Sequence, residues 1–245
     1  MYSFLRQPRW IGALLLTTVI VIVFILLGNW QLDRHNEVTL DNQIRSARIA
    51  EPPLDLLDML DAVGTSLDSL EYRRAVAVGV FDAESEIFVR NEVDRAGTAG
   101  FHVVTPLITE AGTFLVNRGW VPLAAEQPPV TEAPPPSGEV AIEVILRASQ
   151  ERPGFGRVEP DGTLTVVNRI DLDRLASQFD DLLPVWGQLV APDDSIPRPV
   201  DIPAFDDNGP HFEYALQWYA FALIAIGGAV FLIRSTARKP GSMER

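Results

Sequence analysis

The stretch HFEYALQWYAFALIAIGGAVFLI, His211–Ile233, decides how the chain is built. From Ala215 to Ile233 its only strongly polar residue is Gln217, and Glu213 and Arg234 bracket it. At 1.5 Å per residue such a run is long enough to cross the hydrocarbon core of a bilayer. A second charge-free run, Trp10 to Leu27, reaches about 27 Å on the same geometry. The chain of 245 residues therefore reads as one middle domain held between two transmembrane helices. The rival reading of the first run is a cleaved signal peptide. Its apolar stretch is longer than a signal core and no small-x-small site follows it, so a retained anchor is expected.

The divisions that follow are a tail over 1–9, a first span over 10–30, a β-rich domain over 31–210, a second span with its outer first turn over 211–233, and a tail over 234–245. Arg6 and Arg9 precede the first span, and Arg234, Arg238 and Lys239 follow the second. Positive charge stays on the cytoplasmic side, which predicts a multi-pass bacterial plasma-membrane protein with both termini cytoplasmic and the middle domain outside. Residues 28–213 hold 14 basic against 32 acidic side chains, a net of −18. This charge repels phosphate backbones, so no nucleic-acid partner is expected. It suits a basic protein partner, or simple solvation of an exported domain. The chain has no cysteine, which excludes disulfides, thiolate metal sites and covalent c-type haem attachment. Any cofactor must be held by His, Met, carboxylate or backbone.

The first helix is expected to run out of the membrane until Pro52 and Pro53 stop it. LDLLDMLD (Leu54–Asp61) has helical spacing. RAVAVGVF (Arg74–Phe81) then puts Val76, Val78 and Val80 on one face, and EIFVRNEV, FHVVTPLIT and TFLVNRGWVPL follow with strand character. EQPPVTEAPPPSGE (Glu126–Glu139) cannot supply ladder hydrogen bonds and reads as an exposed excursion. Beyond it come strand VAIEVILRAS, loop QERPGFGR, strand TLTVVNR, a helix DLDRLASQF with Asp171 as N-cap, and strand LPVWGQLVA. PDDSIPRPVDIPAFDDNGP is extended and aperiodic. The fold class is an α+β membrane protein: two transmembrane helices flanking a mainly antiparallel, barrel-like domain with short helices.

The only histidines are His35, His102 and His211. His102 sits in a strand and reads as a packed residue. His211 precedes the apolar run by four residues, and on one helix it shares a face with Tyr214, Ala215, Trp218 and Ala222. A flat apolar macrocycle with polar propionates fits such a face, and so does an ordinary interfacial belt of Tyr and Trp. At the end of the first span Trp30 and Arg34 are four apart, as are Gln31 and His35. Arg34 reads either as a propionate partner or as a snorkelling anchor. In NRGW (Asn117–Trp120), Gly119 permits a positive φ or a bulge, Trp120 offers area for burial, and Arg118 is a candidate docking residue. No GxSxG, HExxH or assignable triad occurs, and the chain reads as non-enzymatic.

GNWQLDR (Gly28–Arg34), PPLDL, EYRR…GVF, GFHVVTPL, LVNRGWVP (Leu115–Pro122) and HFEYALQWYAFA stand in the order seen in the SURF1 family of cytochrome oxidase assembly proteins, which the chain resembles over its whole length. The resemblance implies a membrane factor that assists assembly of the haem a-containing terminal oxidase, acting on its catalytic subunit and, by extension, beside the haem a synthesis machinery. It further implies haem a as a transient cofactor, with His211 as iron ligand and Tyr214, Trp218, Arg34, Gln31 and Trp30 around it. A scaffold that binds oxidase subunits without haem is the alternative. The chain departs from the family pattern where His35, Asn36, Glu37 and Val38 follow Arg34, where Asn208 stands three residues before His211, and where no tryptophan precedes Asp171. His35 raises the further idea of a second axial ligand.

Overall fold

The structure is a computed structural model that describes residues 3–63, 67–94, 96–150, 162–202 and 204–238. It divides into two compact units, Met1–Gln43 with Phe205–Arg245, and Ile44–Ala204.

The first unit is built on two helices, α1 (Pro8–Ala50, whose last turns belong to the second unit) and α4 (His211–Ala237). Both are long and apolar enough to cross a membrane. Continuous helix is the expected state of such segments, because no water is present there to satisfy backbone polar groups. The less exposed positions of α1 recur at Leu14, Thr17, Val21, Phe24, Gly28, Gln31, His35, Val38 and Asn42, alternating steps of three and four. On α4 the same alternation picks out His211, Ala215, Trp218, Ala222, Ala225 and Ala229. This is the heptad seam of two packed helices, with small residues on α4 that let the backbones approach. As expected, α1 continues well past its apolar part and ends just before Pro52 and Pro53.

In the second unit, β2 (Arg74–Phe81) pairs with β6 (Glu139–Arg147), β6 with β8 (Trp186–Leu189), β8 with β5 (Gly112–Pro122), and β5 with β4 (Ala99–Thr109). β4 then returns to β2, Ile108 and Leu107 lying opposite Val80 and Phe81, so five strands close a barrel. β3 (Ile87–Val93) lies along the first half of β4, and β7 (Val166–Val167) runs parallel to β3. β1 (Leu54–Asp55) runs parallel to β2. Ala75, Ala77, Leu107, Phe114, Val116, Val144, Leu146 and Val185 form one core cluster, to which Leu56 and Met59 of α2 (Leu56–Val63) contribute.

The strands follow the expected order, with several informative differences. β5 is buried at nine successive positions rather than alternately, because both of its faces are covered. One cover is the chain from Leu164 to Phe179, whose Leu164, Ile170, Leu172, Leu175 and Phe179 pack on Ile87, Val104 and Leu115. This use as a cover explains why the expected strand TLTVVNR shortens to β7. The expected helix is the single turn α3 (Leu172–Leu175), and its N-cap is Asp171, as read. The other cover is the proline-rich segment, which corrects the exposed excursion expected from its composition. Val130 and Ala133 are buried against Phe88, Val103 and Val121. LDLLDMLD also splits, its first two residues forming β1 before α2 begins. Most of QERPGFGR lies outside the described residues.

Arg118 is buried, which removes it as a docking residue on the surface. Its Nη2 donates to Glu86 Oε2 at 3.1 Å and to the Ala133 carbonyl at 2.8 Å. Glu86 also accepts from Thr105 Oγ1 at 2.6 Å and, through Oε1, from the Val130 amide at 2.8 Å. Burial pulls the Arg118 pKa below its ordinary value, and the Glu86 charge opposes that pull. Next to it, Gly119 has φ +134°, beside a register shift in the β4–β5 ladder. A side chain there would collide with the Arg198 carbonyl, with which the Trp120 amide bonds at 2.6 Å. The aperiodic last stretch is thus tied to β5 through backbone.

Removing one partner of a buried, hydrogen-bonded ion pair leaves the other charge uncompensated, which costs roughly 3–5 kcal/mol. Glu86→Ala in the full-length, detergent-solubilised chain is therefore expected to lower the unfolding free energy by about that amount. Tryptophan fluorescence during urea titration measures it, and an unchanged midpoint would show that the network is not structural.

Candidate functional site

The helix pair brings an imidazole and a carboxamide together. His211 begins α4 and Gln31 lies on the seam of α1, with His211 Nδ1 2.9 Å from Gln31 Oε1. Since an amide oxygen only accepts, Nδ1 donates to it, and in the neutral imidazole this tautomer leaves the lone pair on Nε2. A histidine ligand in proteins is commonly held in this way, by a carbonyl or carboxylate on its other nitrogen. Gly209, with φ +67°, lies beside that ring: a Cβ there would stand 3.5 Å from His211 Nε2. Any larger residue would be strained by that φ, although its Cβ would make only ordinary contact with the ring.

Close packing fixes the register that makes this contact. Gly28 is buried, and a Cβ on it would come within 2.7 Å of the Tyr219 ring. The Tyr219 hydroxyl donates to Asn29 Oδ1 at 2.7 Å. Phe24 lies 5.6 Å from Trp218 and 5.8 Å from Phe221, ring centre to ring centre. Beyond the imidazole, Asn42 donates to the Asp207 carbonyl and to Asn208 Oδ1, holding the approach to α4. His35, one turn after Gln31, packs its ring 5.7 Å from Phe212. Its Nδ1 and the Thr39 hydroxyl are enclosed without a hydrogen-bond partner.

Of the site residues named from sequence, His211 and Gln31 meet, and Trp218 lies on the same seam, packed on Phe24. Trp30 and Tyr214 are about half exposed, and Arg34 turns to Glu37, Nη1 to Oε2 3.1 Å. These three do not converge with His211. Gly28, Asn29, Tyr219 and Gly209 were not singled out from sequence as site residues. A seven-residue count back from His35 lands on Gly28 and from Val38 on Gln31, so the heptad was the signal that pointed to them.

The barrel holds a second set of ionisable groups. His102 of β4 faces Glu92 of β3, Nδ1 to Oε2 3.7 Å. Burial lowers the His102 pKa to about 4 and raises that of Glu92. Asp94 moves the other way, held down chiefly by the Thr98 amide. Among the described residues, no group of three or more His, Cys, Asp or Glu side chains is placed to hold a metal ion.

Two helices of membrane-spanning length flank a closed β-barrel domain, and the helix pair presents one oriented imidazole. That defines a class, the twin-helix barrel proteins. Within that class the chain belongs to the SURF1 family, whose family model matches residues 18–223, a family known generally for cytochrome oxidase assembly factors. A SURF1-like protein of Mycobacterium tuberculosis is 27% identical over 91% of this chain and 83% of its own length. A SURF1-like protein of Caenorhabditis briggsae is 26% identical over 82% of this chain and 68% of its own. Surfeit locus protein 1 of Mus musculus is 32% identical over 53% and 46%.

Two measurements check this description. Gly28→Leu is expected to separate Gln31 from His211. Nitroxides on Asp33→Cys and Glu213→Cys, in a chain with no other cysteine, would then give a longer and broader distance distribution by pulsed EPR. For His102, a folded pKa below the unfolded 6.5 means that the fold binds fewer protons than the unfolded chain. Its stabilising contribution is full above pH 6.5 and is lost as pH falls towards 4. With three histidines to assign, NMR should find one imidazole titrating near 4, and His102→Gln should flatten the loss of stability across that window.

Proposed function

We propose that the chain is a non-enzymatic assembly factor for the haem a-containing terminal oxidase, receiving haem a at His211 and passing it to the catalytic subunit. The observation that carries the reading is the His211–Gln31 contact, which in the neutral ring selects the tautomer with Nε2 as donor atom, in a chain of this family. The fit has further support on the helix pair. The enclosed His35 Nδ1 and Thr39 hydroxyl are polar atoms that a group entering the seam would satisfy.

The roles divide among the residues. His211 donates to the iron of the cargo, and Gln31 fixes the tautomer and ring orientation. Trp218 and Phe24 supply an apolar wall, while Tyr214, Trp30 and Arg34, which do not converge with His211, would have to turn towards the cargo to meet the macrocycle edge and its propionates. Arg34 must exchange Glu37 for a propionate to take that part. The setting is the plasma membrane of a bacterium, with both termini cytoplasmic by the positive-inside rule and the barrel outside. The haem a synthesis machinery is the upstream partner and the oxidase catalytic subunit the downstream one, both met within the bilayer.

A second reading, a scaffold for oxidase subunits that carries no haem, is favoured by the exposure of Trp30, Arg34 and Tyr214, which leaves the site open on the helix surface. Visible spectra of the protein purified from cells that make haem a separate the two. The wild type is expected to carry haem a and His211→Ala to lose it. Gln31→Leu, which keeps the volume and removes the acceptor, is expected to lower occupancy by about tenfold or more, the usual scale for a group that orients a ligand. Equal haem in wild type and His211→Ala, or none in either, would leave the scaffold.

A further inference from the structure

The barrel closes unevenly. On the edge of β2 away from β6, β1 pairs with Ala75 and Val76, and β4 with Val80 and Phe81. Between them, Ala77, Val78 and Gly79 have no strand partner on that edge among the described residues. The gap is about 10 Å of strand. Over it lies a groove of about 380 Å³ lined by the outer face of β2, by Asp55 and Leu57, and by the β4 end from Ile108 to Glu110.

Its surface is unusual for a small barrel. Val78, Val80 and Ile108 are 45–47% exposed, three large apolar side chains lining one groove, and Leu54 of the adjoining hollow is 50% exposed. Isolated exposed apolar residues are ordinary, whereas a contiguous group beside an unpaired strand edge marks a binding surface or an aggregation hazard. The charged residues lining the groove are Asp55, Glu110 and Glu139, all acidic. Asp55 also lines the adjoining hollow of about 260 Å³ between β1 and α2, together with Asp58 and with Arg73, which pairs with Glu51. The groove thus offers an apolar floor, a short unpaired backbone edge and a rim of one sign.

We infer that this groove docks an extended, basic and apolar segment of a partner protein by strand addition at Ala77–Gly79. Backbone pairing supplies the binding mode, alternate apolar side chains of the segment cover Val78, Val80 and Ile108, and its Lys or Arg residues meet Asp55, Glu110 and Glu139. A nucleic acid or an anionic lipid surface would face the same acidic rim and be repelled. The inference stands on the barrel alone and does not depend on haem binding.

The test uses the full-length protein in neutral detergent and three fluorescein-labelled heptapeptides read by anisotropy. The first is Arg-Val-Lys-Val-Arg-Val-Lys, the second carries Glu at its charged positions, and the third carries Ser in place of every Val. Saturable binding of the first alone is expected, weakened about tenfold in Glu110→Lys/Glu139→Lys, whose exposed changes leave the core untouched. Val78→Asn should weaken it as well, with the His102 titration serving as the check that the barrel is intact. Equal binding of the serine peptide would reduce the contact to bulk charge and overturn the proposal, as would binding of the acidic peptide. A dimer seen by analytical ultracentrifugation and abolished by Val78→Asn would also overturn it, in favour of a second copy as the occupant.

Discussion

The approach of α1 to α4 at Gly28 sets everything at the candidate site. Only a hydrogen fits where the Tyr219 ring lies, and that single close contact fixes how far one helix is shifted along the other. With the shift fixed, Asn29 falls under the Tyr219 hydroxyl and Gln31, three residues on, falls under His211. Hydrophobic burial cannot choose this register, because lipid tails are as apolar as the helices themselves. Packing of small against large residues, and the few polar bonds along the seam, must choose it.

The barrel unit rests on a different constraint, an ionised group taken out of water. Glu86 sits at the start of β3 with no exposed side-chain surface, and it is stable there only because Arg118, Thr105 and the Val130 amide all donate to it. Those donors come from β4, β5 and the proline-rich segment, so one carboxylate ties three separate parts of the chain. That requirement pins a segment with no ladder of its own, which composition alone would leave in solvent. Such a network specifies an arrangement more than it adds net stability.

This contrast explains what was legible in the sequence. Both spanning helices, the order of strands and the Asp171 cap rest on local pattern, and local pattern is what a sequence displays. The packed state of Val130 and Ala133, the burial of Arg118 and the unbroken burial of β5 are set by partners far away in the chain, so period-2 reasoning had no access to them. At the helix pair, His211 stood out because an imidazole beside an apolar run is chemically conspicuous. Gln31 was legible as a neighbour of the site, but its bond to Nδ1 depends on register, and the register depends on Gly28, which has no side chain to notice. Trp30, Arg34 and Tyr214 share the neighbourhood in sequence and fall on other faces of their helices, since steps of one residue turn a helix by about 100°.

A carrier must hold its cargo and then release it, and the seam bears on both halves of that demand in the proposed reading. Enclosed polar atoms without partners destabilise the empty state by about 1–3 kcal/mol each, so His35 Nδ1 and the Thr39 hydroxyl favour the arrival of any group that satisfies them. Retention is limited from the other side. His35 is packed against Phe212 and His102 is enclosed in the barrel beside Glu92, whereas the His211 ring is oriented by its contact with Gln31. A single imidazole ligand held by a neutral carboxamide donates less strongly than one backed by a carboxylate. An acceptor subunit offering a more basic histidine, or a second one, would therefore draw the iron away down a gradient of ligand strength, with no catalytic step required of the carrier.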